Sequence, residues 1–250
     1  MRGARLTNFV LGAVASAGLV GTVDGAVVTI PVAQDATIIQ ENGAIANGQG
    51  LGLFVGQTGA DFTRRALVRF DLSSIPAGST INSVSFAMNL TRAQSGSYAV
   101  ALHRLTAGWN EGPSHVGNDN GQGSFAQTGD VTWTHRTFGA GPLWTTPGGD
   151  FVEQASASRT IGTALTAYTW TSTPLLVADV QAWLDAPATN FGWIIRGSET
   201  QFMSARRFAS GEFSSPAQRP RITIDYTPVP SPGGWGLVGA GCLLAARRRR

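Results

Sequence analysis

The sequence contains no lysine: all 18 of its basic residues are arginine. Schiff-base chemistry is thereby excluded. Cysteine is nearly absent as well, with Cys242 alone, close to the C-terminus. The body of the chain therefore has no internal disulfide and no cysteine-based zinc site. The three histidines, His103, His115 and His135, fall in no HxH or HExxH spacing and form no metal pattern. No G-x-S-x-G elbow presents a serine nucleophile. Glu111 and Glu153 have no partner carboxylate at a spacing that suits glycoside hydrolysis. Charge is sparse, at 13% of residues. The apolar run at 233–246 has 14 residues, and as a helix it would reach only ~21 Å, short of a ~30 Å hydrocarbon core.

What is present begins with the two ends. Arg2 and Arg5 precede an apolar stretch from Phe9 to Val20 and a series of small residues, the layout of a secretory signal over residues 1–26. Cleavage is expected after Ala26 rather than at the alternative Ala15-Ser16-Ala17 site. At the other end, residues 228–250 run from a Pro-Ser-Pro break through the short apolar segment to four terminal arginines. This order resembles the PEP-CTERM sorting signals of Gram-negative bacteria. Ser231-Pro232 stands where that family favours Glu-Pro, and Gly233-Gly234 is similar to the related GlyGly-CTERM signal. The resemblance implies transient anchoring in the inner membrane and cleavage by an exosortase-type processing enzyme. The destination would be the cell envelope, the outer surface or the extracellular space.

The ends also account for the formal charge of +3. Six arginines lie in them, which leaves 12 in the body against 14 acids, a net charge near −2. Nucleic acid is therefore not an expected partner.

The body, residues 27–227, reads as one domain, large enough to bury its own core. Its apolar residues alternate at period two. Val84, Phe86, Met88 and Leu90 share one face of a strand, as do Ile222, Ile224 and Tyr226, and as do Phe191, Trp193 and Ile195. One helix is expected, N-capped by Thr173, with Pro174 in its first position, an apolar stripe of Leu176, Val177, Val180 and Leu184, and a stop at Pro187. Residues 112–129 read as a long surface loop. Short strands with a single helix predict an all-β fold, a β-sandwich of jelly-roll type.

Several blocks occur in a telling order. They include Arg64-Arg65-Ala66-Leu67-Val68-Arg69-Phe70-Asp71-Leu72, Trp109-Asn110-Glu111, Asp179-Val180-Gln181-Ala182-Trp183, Arg206-Arg207-Phe208-Ala209-Ser210-Gly211-Glu212 and Arg219-Pro220-Arg221. In this order the body resembles the DNRLRE domain over most of its length. The resemblance implies a secreted β jelly roll that in some members binds acidic polysaccharide such as alginate.

Alternation places Arg65, Arg69 and Asp71 on one face of their strand and Ala66, Val68, Phe70 and Leu72 on the other, with the arginine face expected to stay polar. Arginine's planar fork matches the carboxylate of a uronic acid. Arg64, Arg65, Arg69, Arg196 and Arg207 are the candidate ligand-binding arginines. The alternative for the same residues is an internal ion-pair ladder with no ligand. Trp109, Trp133, Trp144 and Trp170 are the candidates for stacking on sugar rings, while Trp183 and Trp193 are assigned to the core. His135 joins the ligand-binding set. His103 reads as a satisfied, half-buried histidine. A structural Ca²⁺ is the one cofactor considered, between Asp35 on the first strand and Asp225 on the last if those strands are neighbours. Asp119-Asn120-Gly121 lacks EF-hand spacing and reads as a polar loop. The expected function is that of an exported, non-catalytic surface or matrix protein whose partner is acidic polysaccharide or an exopolysaccharide matrix. Its alternatives are a purely structural envelope protein and, less favoured, a polysaccharide lyase or hydrolase.

Overall fold

The computed structural model describes residues 24–41, 43–115, 117 and 121–229. Nearly all of the expected leader and of the expected C-terminal sorting segment with Cys242, and Asp119-Asn120, lie outside the described residues. The fold is mostly β. Its strands are β1 (Ala26–Ile39), β2 (Ile45–Asn47), β3 (Gly52–Gln57), β4 (Thr63–Phe70), β5 (Thr80–Ala93), β6 (Tyr98–Arg104), β7 (Ser124–Phe125), β8 (Ala157–Ile161), β9 (Ala167–Trp170), β10 (Trp193–Arg196), β11 (Arg206–Ala209) and β12 (Arg221–Thr227). Among the described residues one α-helix, α1 (Pro174–Asp185), precedes β10.

Every strand pairing is antiparallel, and six strands form a closed circuit: β1–β12–β5–β11–β3–β4 and back to β1. Each of these strands has two partners in the circuit, but β1 and β3 meet theirs along different stretches, so the first half of β1 pairs with β12 alone. The long β1 makes the circuit possible. Its first half pairs with β12, from Ala26↔Tyr226 to Pro31↔Arg221. After Pro31 and a bulge between Val32 and Gln34, its second half pairs with β4. Proline and a bulge are what hand a strand from one partner to another. From β4 the sheet continues through β10 and β6 to β8.

The alternation expected along β5 holds: Val84, Phe86, Met88 and Leu90 are all buried. They meet Ala66, Val68 and Phe70 of β4 in the main core, with Phe70 and Phe86 edge to face at 5.9 Å. The helix also forms as the sequence predicts. Leu176 N–H donates to the Thr173 hydroxyl at 3.0 Å, and Leu176, Val180, Trp183 and Leu184 close one side of the core. Asp179 ties the helix to the sheet, accepting from Trp193 Nε1 at 2.8 Å and from Ser156 Oγ at 2.5 Å.

The other face of β4 differs from expectation. Leu67, between Arg65 and Arg69, is fully buried. With Ala36, Ile38 and Ile194 it forms a second apolar cluster, covered by Leu105, Trp109, Val131 and Trp144 from the connection between β6 and β8. The connection is thus a roof, which makes β4 and β10 strands buried on both faces. Residues 112–129, expected as a surface loop, contain β7 and the buried Ser114, whose carbonyl accepts from Gly48 and Gln49 N–H.

Phe191 also moves from its expected face. It packs on the second cluster with Ile194, not with Trp193 and Ile195. Gly192, at φ 78°, breaks the alternation just before β10 begins.

Candidate functional site

The arginines of the sequence do not share one open face. Arg64, Ala66, Val68 and Phe70 follow one parity, so Arg64 turns inward at the start of β4 and is buried. It donates Nε to Gly121 O at 3.1 Å and lies 3.6 Å from Glu41, and burial lowers its pKa to about 10. Arg65 turns toward the roof. Its Nε and Nη2 grip Glu199 in a fork at 2.7 and 2.8 Å, and Nη1 donates to Gly148 O at 2.7 Å. Its guanidinium also covers the Trp133 ring, 4.7 Å from the centroid. Arg196, beside Arg65 in the β4–β10 register, shares the same carboxylate at 3.1 Å and reaches Glu153 at 3.6 Å. Burial would raise the Glu199 carboxyl, but hydrogen bonds and charge from the two arginines hold it below the ordinary range. Arg65, Glu199 and Arg196 therefore form the ion-pair arrangement that was the alternative to a ligand site. Arg69 lies at the far end of β4, beside Asp71 and Asn190. Arg207 lies on β11, opposite Phe54 and Arg92, and donates to Thr91 Oγ1 at 3.2 Å.

The aromatic candidates are mostly packing. Trp109, Trp144 and Trp170 are buried, each donating its indole N–H to a backbone carbonyl: Phe191 O, Thr132 O and Val100 O. A buried ring cannot stack on a sugar. Trp133 is half-buried and carries Arg65. Trp183 and Trp193 sit in the core, edge to face at 4.6 Å. His135 shares a hydrogen bond with Thr134 Oγ1 at 2.9 Å and packs on Phe138. His103 is buried, with Nδ1 3.1 Å from Val152 O.

An open cleft of about 640 Å³ lies beside this ion-pair group on the roof. Its lining includes Arg65, Arg136, Thr106, Leu143, Thr145 and Phe151. Arg136 donates Nε to Leu143 O at 3.3 Å and Nη1 to Gly108 O at 3.4 Å, and among the described residues it has no ion pair. Leu143 beside it is 60% exposed. Sequence reasoning passed over Arg136, because it lies in an irregular segment where periodicity carries no signal.

The structure does not bring Asp35 and Asp225 together. The strands are neighbours, as supposed, but the register sets Asp225 opposite Val27, eight residues before Asp35, about 26 Å of extended strand along β1. Asp225 instead accepts from Asn82 Nδ2 at 3.0 Å. Asp35 meets two other acids, Glu111 from the roof and Glu212 from the turn after β11, with one oxygen of each within 4.8 Å of the others. Asp35 Oδ2 accepts from Gly211 N–H at 2.6 Å, and its own N–H donates to Glu111 Oε1 at 3.1 Å. Burial, then the charge of Glu212, pushes the Asp35 carboxyl well above its ordinary value. Burial likewise pushes Glu111 up to about 7 and raises Glu212. Glu111 and Glu212 stand in the sequence blocks beside Trp109 and Phe208, and that placement was their only signal.

Compared with protein-family models and with curated proteins, the chain matches none.

Proposed function

We propose that this chain is an exported, non-catalytic surface or matrix protein that binds acidic polysaccharide through a jelly-roll β-sandwich of the DNRLRE type. The observation that carries the sugar contact is Arg136, a guanidinium whose hydrogen bonds go to carbonyls and which forms no ion pair among the described residues, in an open cleft that Asp150 and Glu153 also line. Its free edge suits a uronate carboxylate. Thr106 and Thr145 supply hydroxyls along the cleft, and Leu143 supplies an exposed apolar surface for a sugar face. Arg65, already held by Glu199, forms a wall of the cleft rather than a contact.

A second reading, a structural envelope protein with no sugar affinity, is favoured by the Arg65–Glu199–Arg196 group, which uses two of the candidate arginines internally. Binding of the purified protein to a polyuronate and to a neutral polysaccharide separates the two. The proposed function expects salt-sensitive polyuronate binding. Arg136→Ala should weaken it at least about tenfold, the worth of one charge-assisted hydrogen bond, with the melting temperature unchanged. If the wild-type protein retains neither polysaccharide, the structural reading replaces this one.

A further inference from the structure

We propose that Asp35, Glu111 and Glu212 form a binding site for a single divalent cation of the calcium type, which ties the first strand, the roof and the turn after β11 together. Three carboxylates converging in one place are not by themselves a site, since such a cluster can simply be hydrated. Here water does not reach Asp35, and Glu111 and Glu212 are only partly exposed. Asp35 is 1% exposed, and its Oδ1 is buried with no hydrogen-bond partner; Glu212 Oε2 is also buried without one. An unpaired buried carboxylate oxygen is costly, and here two belong to groups of like charge in contact range. Arg219 and Arg69 stand close enough to influence these acids, but among the described residues no arginine forms an ion pair with any of the three. A cation at their centre supplies the missing partner.

The donor set selects the kind of ion. All three donors are carboxylates, with no histidine or cysteine among them, which suits a hard cation rather than zinc or copper. Oxygens within 4.8 Å of one another can all contact one ion at the calcium–oxygen distance of about 2.3–2.6 Å. Magnesium dehydrates reluctantly and usually keeps several waters, so a cage of protein carboxylates suits it less well. The placement gives the ion a structural role. Asp35 follows directly on the bulge where β1 leaves β12 for β4. Glu111 lies 76 residues away, and Gly211, beside Glu212, lies 176 residues away. One ion would therefore link three segments at the closure of the strand circuit.

The test uses the purified full-length protein, stripped with EDTA and titrated calorimetrically with calcium chloride or magnesium chloride, with melting temperatures recorded in parallel. The expected result is one calcium bound per chain, a rise in melting temperature with calcium, and a weaker response to magnesium. Glu111→Gln and Glu212→Gln should each weaken calcium binding at least about tenfold. Asp35→Asn should abolish the calcium response, yet melt no lower than the wild type in EDTA, because it relieves repulsion in the metal-free cluster. Should Asp35→Asn fail to fold, the two glutamine variants carry the test. The proposal is overturned if stripped wild-type protein binds no calcium at millimolar concentration, or if both glutamine variants bind it as the wild type does.

Discussion

At the scale of single residues, the backbone decides as much as the side chains. Gly192 holds φ at 78°, and a Cβ there would lie 1.9 Å from the carbonyl oxygen of Val68. The residue thus lets the chain turn into β10 while passing directly over β4. Gly192→Ala faces a left-handed conformation, worth about 1–2 kcal/mol, and a backbone clash that the central β4 cannot relieve by moving. Chemical denaturation should show a loss of at least that size. A variant as stable as the wild type would mean that β10 approaches β4 less closely than described. The arginines teach a related lesson. Alternation correctly separates Arg65 from Val68, but facing away from the main core does not leave Arg65 in water, because Trp133, Phe151 and Glu199 lie over it.

At the scale of elements, the roof is the main addition to a simple sheet. It is fastened at one end by the buried Leu67–Ile194 cluster and at the other by Arg65, which donates to Gly148 O and covers Trp133, and by Arg196, which reaches Glu153; Glu199 holds the two arginines together. Glu199 has a lowered carboxyl pKa, so its stabilising effect is complete above the ordinary glutamate value of 4.5 and is lost as pH falls through the folded-state value. Glu199→Gln keeps the shape but removes the charge, and it should cost about 1–3 kcal/mol near neutral pH. The gap between wild type and variant should close on acidification, most of it below about pH 4.5. Thermal melts across that range check this. A gap independent of pH would show that the pair contributes through packing rather than charge.

At the scale of the whole molecule, β1 sets the start of the folded body. Val27 is the first residue of the proposed exported chain; it pairs with Asp225, and cleavage after Ala26 removes only the first pair of that ladder, Ala26↔Tyr226. We expect the exported protein to begin near Val27 and to end within residues 229–232. Intact mass of the secreted or surface-released protein measures both ends at once. Recovery of the uncut chain from the cytoplasm would refute export.

Local patterns determined much of this protein. The period-two runs at Val84–Leu90 and at Ile222 and Ile224 marked strands and their buried faces, and Thr173 with Pro174 marked the start of α1, because capping and alternation involve only near neighbours in the chain. The absence of lysine and the scarcity of cysteine were likewise complete statements before any folding. The tertiary structure alone decided what covers each face. Leu67 reads as an interruption of an arginine face until the roof closes on it, and Arg65 reads as a free cation until Glu199, 134 residues away, reaches it. Asp35 found Glu111 and Glu212 rather than Asp225 because pairing register, not strand order, sets which side chains meet, and register is fixed only when the whole circuit of strands closes.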